Sequence, residues 1–257
     1  MVHYQEMNCP DCGCNQLCKN GKSRNGTQRW KCLNENCSTI TFQLKYTYNA
    51  HKRGIKDAID SQTLNSSGVR DIARNLGINK NTVCAHLKKK KVVKVNPYVL
   101  DMMEINQLSK LEVELHHYQT EWDEFWSFVQ SKANQRWTWY LIERQTGIII
   151  AWENGRRKDK VLQRLLDNVQ NVPITVCHTD DWGAYSRLFP AEYRHLIGKD
   201  NTWKIERKNL NFRTHIKRLN RKTICFSKNE QIHDNVIGMY IEKYYFKHGN
   251  FAEAVAA

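Results

Sequence analysis

Four cysteines near the N-terminus constrain this chain most. Cys9 and Cys12 are separated by two residues, Cys32 and Cys37 by four, and 19 residues lie between the pairs. Two close pairs of thiolates on two turns can close a tetrahedral zinc site, with a short hairpin between them. Turn signals at Asn20-Gly21 and Asn25-Gly26 fit that hairpin. So small a segment has too little core to fold alone, and the metal supplies much of its stability. Cys9, Cys12, Cys32 and Cys37 are the expected Zn2+ ligands of a zinc ribbon, with Cys14 as the alternative to Cys12.

The remaining bounds are broad. The 257 residues leave room for more than one domain, and nine cysteines without an export signal point to a reducing compartment. No apolar run is long enough to span a bilayer. A cytoplasmic, nucleoid-associated protein without a membrane partner is expected. The net charge of +14 is uneven: residues 1–96 carry 17 Lys and Arg against 6 Asp and Glu, and the rest carries 23 against 20. A basic front half before a nearly balanced back half implies a nucleic-acid-binding module ahead of an enzyme or interaction domain.

The stretch SSGVRDIARNLGINKNTVCAHLKKKK has the spacing of a helix-turn-helix. Ala73 is small where two helices touch, Gly77 sits in the turn, Asn79 caps the second helix, and Val83 lies beneath it. The second helix would enter the major groove by its N-terminal end, with Lys80, Asn81, Thr82 and Ala85 exposed to DNA. Lys88, Lys89, Lys90 and Lys91 would lie against phosphates. A helix over about 52–60 precedes this motif.

Four segments follow: a ribbon over 1–45, the helix-turn-helix over 46–93, a linker over 94–120 and a second domain over 121–257. The last reads strand, strand, strand, helix, strand, helix, strand, helix. TEWDEFWSFV alternates and makes the first strand, with a turn expected near 131–135 before the second. DKVLQRLLDNV is an amphipathic helix, PITVCHT a buried strand and YRHLI a brief one. IERKNLNFRTHIKRLNRK, residues 205–222, reads as one basic helix headed by Glu206, and a last helix covers about 229–246.

This order puts Asp123 on the first strand, Asp180 just after the fourth and Glu206 on a later helix. In a ribonuclease-H-like sheet those places converge. Three carboxylates held together repel one another unless cations neutralise them. They suit two Mg2+ or Mn2+ ions about 4 Å apart. Alternation puts Glu124, the rival of Asp123, on the opposite face with the tryptophans. Asp180 has a second reading as the cap of the next helix, and Asp181 is its neighbouring rival. Glu206 has a second reading as an acid paired with a helix dipole.

The blocks KNGKSRNGTQRWKC, EWDEFWSFV, NQRWTWY, HTDDWGAYSRL, IERKNLNFRTHIKRLNRKT and FSKNEQIHDNVIG together resemble the IS-one family of bacterial insertion-sequence transposases, which carry an acidic-triad (DDE) catalytic domain. The resemblance covers nearly the whole chain. It implies a multidomain α+β protein with a zinc ribbon, a helix-turn-helix and a ribonuclease-H-like α/β catalytic domain. The family's catalytic acids fall on Asp123, Asp180 and Glu206. Related acidic-triad transposases place Lys or Arg two helical turns after the glutamate, here Arg213, to hold the terminal phosphate. Asp181 stands where the family usually has glycine.

The implied function is binding of terminal inverted repeats, metal-dependent 3′-end cleavage and strand transfer to target DNA, by a homodimer or larger assembly. Two other functions fit parts of the pattern. One is a ribbon and helix-turn-helix repressor whose back domain only dimerises. The other is a nuclease acting on DNA structure.

Overall fold

The computed structural model describes residues 7–39, 41–100, 118–198 and 202–246. They form two compact units that divide between Ile55 and Lys56.

In the first unit, β1 (Leu17–Lys22), β2 (Gln28–Cys32) and β3 (Phe42–Gln43) make an antiparallel sheet in that order. Its core is small: Cys9, Cys32 and Phe42 are buried, with Leu17 and Trp30 packed against them. Asp11 accepts from Ser38 Oγ at 2.7 Å and pairs with Arg53 at 2.7 Å, tying the cysteine loops to the end of the unit.

The second unit opens with three helices, α1 (Ile55–Leu64, its first residue the last of the first unit), α2 (Val69–Leu76) and α3 (Lys80–Lys89). Gly77 adopts φ 60°, a left-handed conformation that lets Ile78 N reach Ala73 O at 3.0 Å and stop α2. Asn79 Oδ1 then accepts from Asn81 N at 2.8 Å and starts α3. Ile72, Ala73, Ile78, Val83 and Leu87 are buried between the helices. The spacing read from the sequence thus holds, while α1 begins and ends later than its polar stretch indicates.

A five-stranded sheet follows. Its elements are β4 (Tyr118–Val129), β5 (Ser131–Glu143), β6 (Ile149–Gly155), α4 (Asp159–Val169), β7 (Ile174–Thr179), α5 (Gly183–Leu188), β8 (Arg194–Ile197), α6 (Trp203–His215) and α7 (Glu230–Tyr244). The strand order is β6-β5-β4-β7-β8. β6, β5 and β4 are antiparallel; β4, β7 and β8 are parallel. One face packs Trp122, Trp139, Leu162, Leu165 and Tyr185 together beneath α4 and α5. On the other face Phe125 meets Phe212 of α6 at 5.2 Å between ring centroids, and Phe212 meets Tyr240 of α7 at 5.3 Å. Residues 92–100 lie along the sheet, with Val95 bridging Ala151 and Val99 fully buried. Residues 101–117 of the expected linker lie outside the described residues.

Two local expectations are corrected. The β4–β5 turn is at Gln130 (φ 67°), with strand already formed at Ser131, so it precedes 131–135. Gln130 N donates to Ser227 O at 2.7 Å, and that neighbour holds the chain in a tight reversal. The basic helix over 205–222 is not continuous. α6 starts at Trp203 and ends at His215, Ile216 leaves helical geometry (φ −108°, ψ 86°), and a 3-10 turn covers Lys217–Leu219. Ile216 and Leu219 are both buried, so the break turns these two apolar side chains into the core.

Candidate active site

β4 pairs with β7 from Tyr118 to Glu121, and beyond that its edge meets the chain again at Val129, which bridges Ser227. The parallel register sets Glu121 opposite His178. Asp123 lies two residues further along β4 and Asp180 two residues past His178, near enough that the Asp180 charge helps raise the Asp123 pKa. Asp180 is the first residue past β7. It is half-buried, and its Oδ1 accepts from Trp182 N at 3.1 Å at the entry to α5. Asp181 is exposed.

α6 crosses this face and is fixed at two adjacent residues of its first turn. Glu121, fully buried, accepts from Ile205 N at 3.0 Å; Lys204 Nζ donates to Arg144 O at 2.6 Å. One turn on, Asn209 Nδ2 donates to Asp123 Oδ2. The Tyr140 hydroxyl, opposite Asp123 in the sheet, sits 2.8 Å from Asn209 Oδ1 and 2.9 Å from Ile205 O. Glu206 lies exposed between these anchors, three residues before Asn209 and so on the adjoining helical face. Arg213 follows Asn209 by one further turn.

The electrostatics are those of a site short of positive charge. Burial, then the neighbouring Glu124 carboxylate, and to a lesser extent Asp180, raise the Asp123 pKa to about 7. Glu124 itself faces the other way. Its carboxylate accepts from Tyr185 Oη at 2.7 Å and from Arg157 Nε at 2.8 Å, and Arg157 lies 4.8 Å from the ring centres of both Trp137 and Trp182. Those partners occupy Glu124, whereas Asp123 has only amide donors. Arg213 stacks over Phe125 at 5.6 Å, and its Nε is buried without a hydrogen-bond partner. Burial and the nearby Arg221 lower the Arg213 pKa, while Asp123 favours its charged form.

The donor chemistry fits a hard divalent cation: Asp123 and Asp180 offer carboxylate oxygens, the ligand type such a cation takes, and their charges disfavour one another. Among the described residues, the group of ligand-type side chains that closes to within 4.8 Å is Cys9, Cys12, Cys32 and Cys37. The three acids do not form such a group. For the cysteines, Cys9 and Cys37 Sγ are 3.6 Å apart, as are Cys12 and Cys32. Tetrahedral zinc with bonds of about 2.3 Å sets sulfur atoms at about 3.8 Å, so the quartet fits that ion. Cys14 instead accepts from Gln16 N at 3.3 Å.

On α3, Lys80, Asn81 and Ala85 are exposed and Thr82 half-buried. Lys88, Lys89 and Lys91 are exposed, whereas Lys90 pairs with Asp60 of α1.

Sequence reasoning missed Asn209, Tyr140 and Glu121. A signal existed for two of them: Glu121 has the strand parity of Asp123, and Asn209 is one helical turn from Glu206. Tyr140 had none without the β4–β5 register.

Comparison with known proteins gives two family matches. Residues 118–247 match the family described as IS1 transposase, and residues 46–91 match the InsA C-terminal domain. Insertion element iso-IS1n protein InsB of Shigella dysenteriae is 49% identical over 126 residues, covering 49% of this chain and 95% of that protein. Insertion element IS1 protein InsB of Shigella flexneri is 40% identical over 121 residues, covering 47% and 92%. A solved simian T-cell lymphotropic virus intasome in complex with PP2A regulatory subunit B56 gamma overlaps 70% of this chain at 10% identity and a TM-score of 0.32, too low to bear on the fold. With its family match spanning the whole sheet and its helix-turn-helix matched separately, the chain belongs to the IS1 transposase family.

Proposed function

We propose that this protein is a DNA transposase that cuts the 3′ ends of its insertion element and joins them to target DNA. The observation that carries the reading is the hydrogen bond from Asn209 to Asp123, which brings the helix bearing Glu206 onto an acid that also feels the Asp180 charge. The strand order β6-β5-β4-β7-β8, antiparallel then parallel, supports a ribonuclease-H-like fold for the catalytic domain.

Asp123, Asp180 and Glu206 would hold two Mg2+ or Mn2+ ions. Such ions activate an attacking hydroxyl and stabilise the departing oxygen of an in-line displacement. Asn209 and Tyr140 orient the Asp123 carboxylate. Arg213 holds a backbone phosphate beside it, and Glu121 fixes the start of α6. α3 reads the terminal inverted repeats through Lys80, Asn81, Thr82 and Ala85, with the lysines at 88, 89 and 91 on phosphates. Lys90 is already paired and contributes less. Zinc bound by Cys9, Cys12, Cys32 and Cys37 shapes the ribbon. Bringing two ends together takes at least a dimer.

The test is incubation of a labelled end fragment and a target plasmid with Mg2+ or Mn2+, wild type beside Glu206→Ala. Strand-transfer product from wild type, reduced by at least about a thousandfold in the variant, is expected. Equal product from both removes Glu206 from the chemistry. End binding without any metal-dependent product from wild type favours a repressor.

A further inference from the structure

α7 is buried nearly all round, from Ile232 to Ile241 with the exception of Asp234. A helix buried on every side has partners on every side. One partner is the catalytic sheet, where His233 lies 2.9 Å from Ser127 Oγ. The other is the helix-turn-helix.

The last carbonyls of a helix lack partners within it. Those of α3 are taken by α7. Asn235 Nδ2 donates to Leu87 O at 2.7 Å and to Lys88 O at 3.3 Å, and Gln231 Nε2 donates to Lys88 O at 3.0 Å. Asn235 is only 6% exposed. Past α3 the chain crosses α7 at Gly238. A Cβ there would lie 2.6 Å from Val92 Cβ and 2.7 Å from Trp152 Cζ2, so a larger residue parts the crossing. Next to it, Glu242 accepts from Val93 N, and Trp152 Nε1 donates to Val93 O at 2.9 Å.

A second seat lies elsewhere on the module. Ser66, between α1 and α2, adopts φ 65° and donates to His215 O at 2.7 Å while accepting from Lys217 N at 3.0 Å. A serine held left-handed persists where its surroundings over-determine it. This seat is the C-terminal end of α6, whose first turn carries Glu206. Two separate seats fix orientation as well as position.

We propose that this joint is a molecular ruler: it holds α3 at a set distance and angle from the acidic site and thereby determines which phosphodiester is cut. Asn235, Gln231, Gly238 and Ser66 are positioning residues for the cleavage point. The inference rests on the reading of the acids as catalytic and of α3 as the reader of the element's ends.

The full chain tests it with two end fragments, one native and one with about five base pairs, half a helical turn, inserted between the recognised sequence and the terminus. Wild type is expected to bind both equally and to cleave the inserted fragment at its terminus at least about tenfold less. The double variant Asn235→Ala with Gln231→Ala keeps binding and loses most of that discrimination. Ser66→Gly, which removes both hydrogen bonds and relieves the φ constraint, changes it in the same direction. Equal terminal cleavage of both fragments by wild type overturns the ruler. So does undiminished discrimination in both variants.

A second measurement does not depend on cleavage. In the DNA-bound protein, hydrogen exchange over 87–95 is expected to be as slow as in β4, and rapid exchange there overturns the joint. Equal cleavage by Glu206→Ala and wild type instead removes the catalytic reading, and the exchange result still decides whether the two parts are locked together.

Discussion

Asp123 and Glu124 are adjacent acids on one strand, and their partners separate them. Glu124 meets an arginine and a tyrosine; Asp123 meets an asparagine and another acid across the sheet. A folded-state pKa of about 7, raised from 3.8, means that between those values the folded chain keeps a proton the unfolded chain has lost. The stability this group contributes is therefore full below about 3.8 and is lost as pH rises through about 7. Asp123→Asn should raise the metal-free melting temperature by a few degrees at pH 8 and leave it nearly unchanged at pH 4. Mg2+ should stabilise wild type more at pH 8 than at pH 6, and the variant little at either, as read by thermal melts. A melting temperature lowered at pH 8 by Asp123→Asn would count against the charge argument. Strand alternation made the opposite facing of these two acids legible. The Asn209–Tyr140 pair was not, because it needs the β4–β5 register and the crossing point of α6.

At the level of elements, the helix-turn-helix was the most legible part. Its boundaries follow from local rules: a left-handed glycine stops one helix and an asparagine cap starts the next. Asn79→Ala should cost about 1 kcal/mol in chemical denaturation and weaken DNA binding modestly, since α3 frays at the end proposed to meet DNA. An unchanged midpoint would show that tertiary packing alone holds the start of α3. The basic stretch after Glu206 was read as one helix because its apolar spacing is continuous. The break at Ile216 follows from tertiary demands, the burial of Ile216 and Leu219 and the capture of His215 O by Ser66. α7 gave one hint, a glycine in mid-helix, whose reason is the crossing of residue 92.

At the level of the whole molecule, the ribbon and the larger unit stand on different supports. The ribbon's core of Cys9, Cys32 and Phe42 is too small to hold it without metal, whereas the larger unit has an extensive apolar core. Removing zinc with phenanthroline while Mg2+ is kept should expose residues 7–43 to protease and leave a resistant fragment beginning near Lys56. Elemental analysis should find one zinc per chain, and Cys32→Ser should mimic chelation. Collapse of both units together on chelation would contradict this. The division of the chain into a front unit gathered round four cysteines and a back with an apolar core was visible in cysteine spacing and charge. The docking of the DNA reader onto the catalytic sheet was not, because its contacts join residues about 150 positions apart, far beyond any sequence periodicity.

The all-round burial of α7 bears on how the protein is made. The helix-turn-helix leaves the ribosome long before residue 230, yet its seat is among the last segments synthesised. Nascent chains therefore carry the helix-turn-helix without its α7 seat until translation is nearly complete. A gene copy with a stop codon upstream of Glu230 yields a product whose sheet and reader both lack the wedge they share.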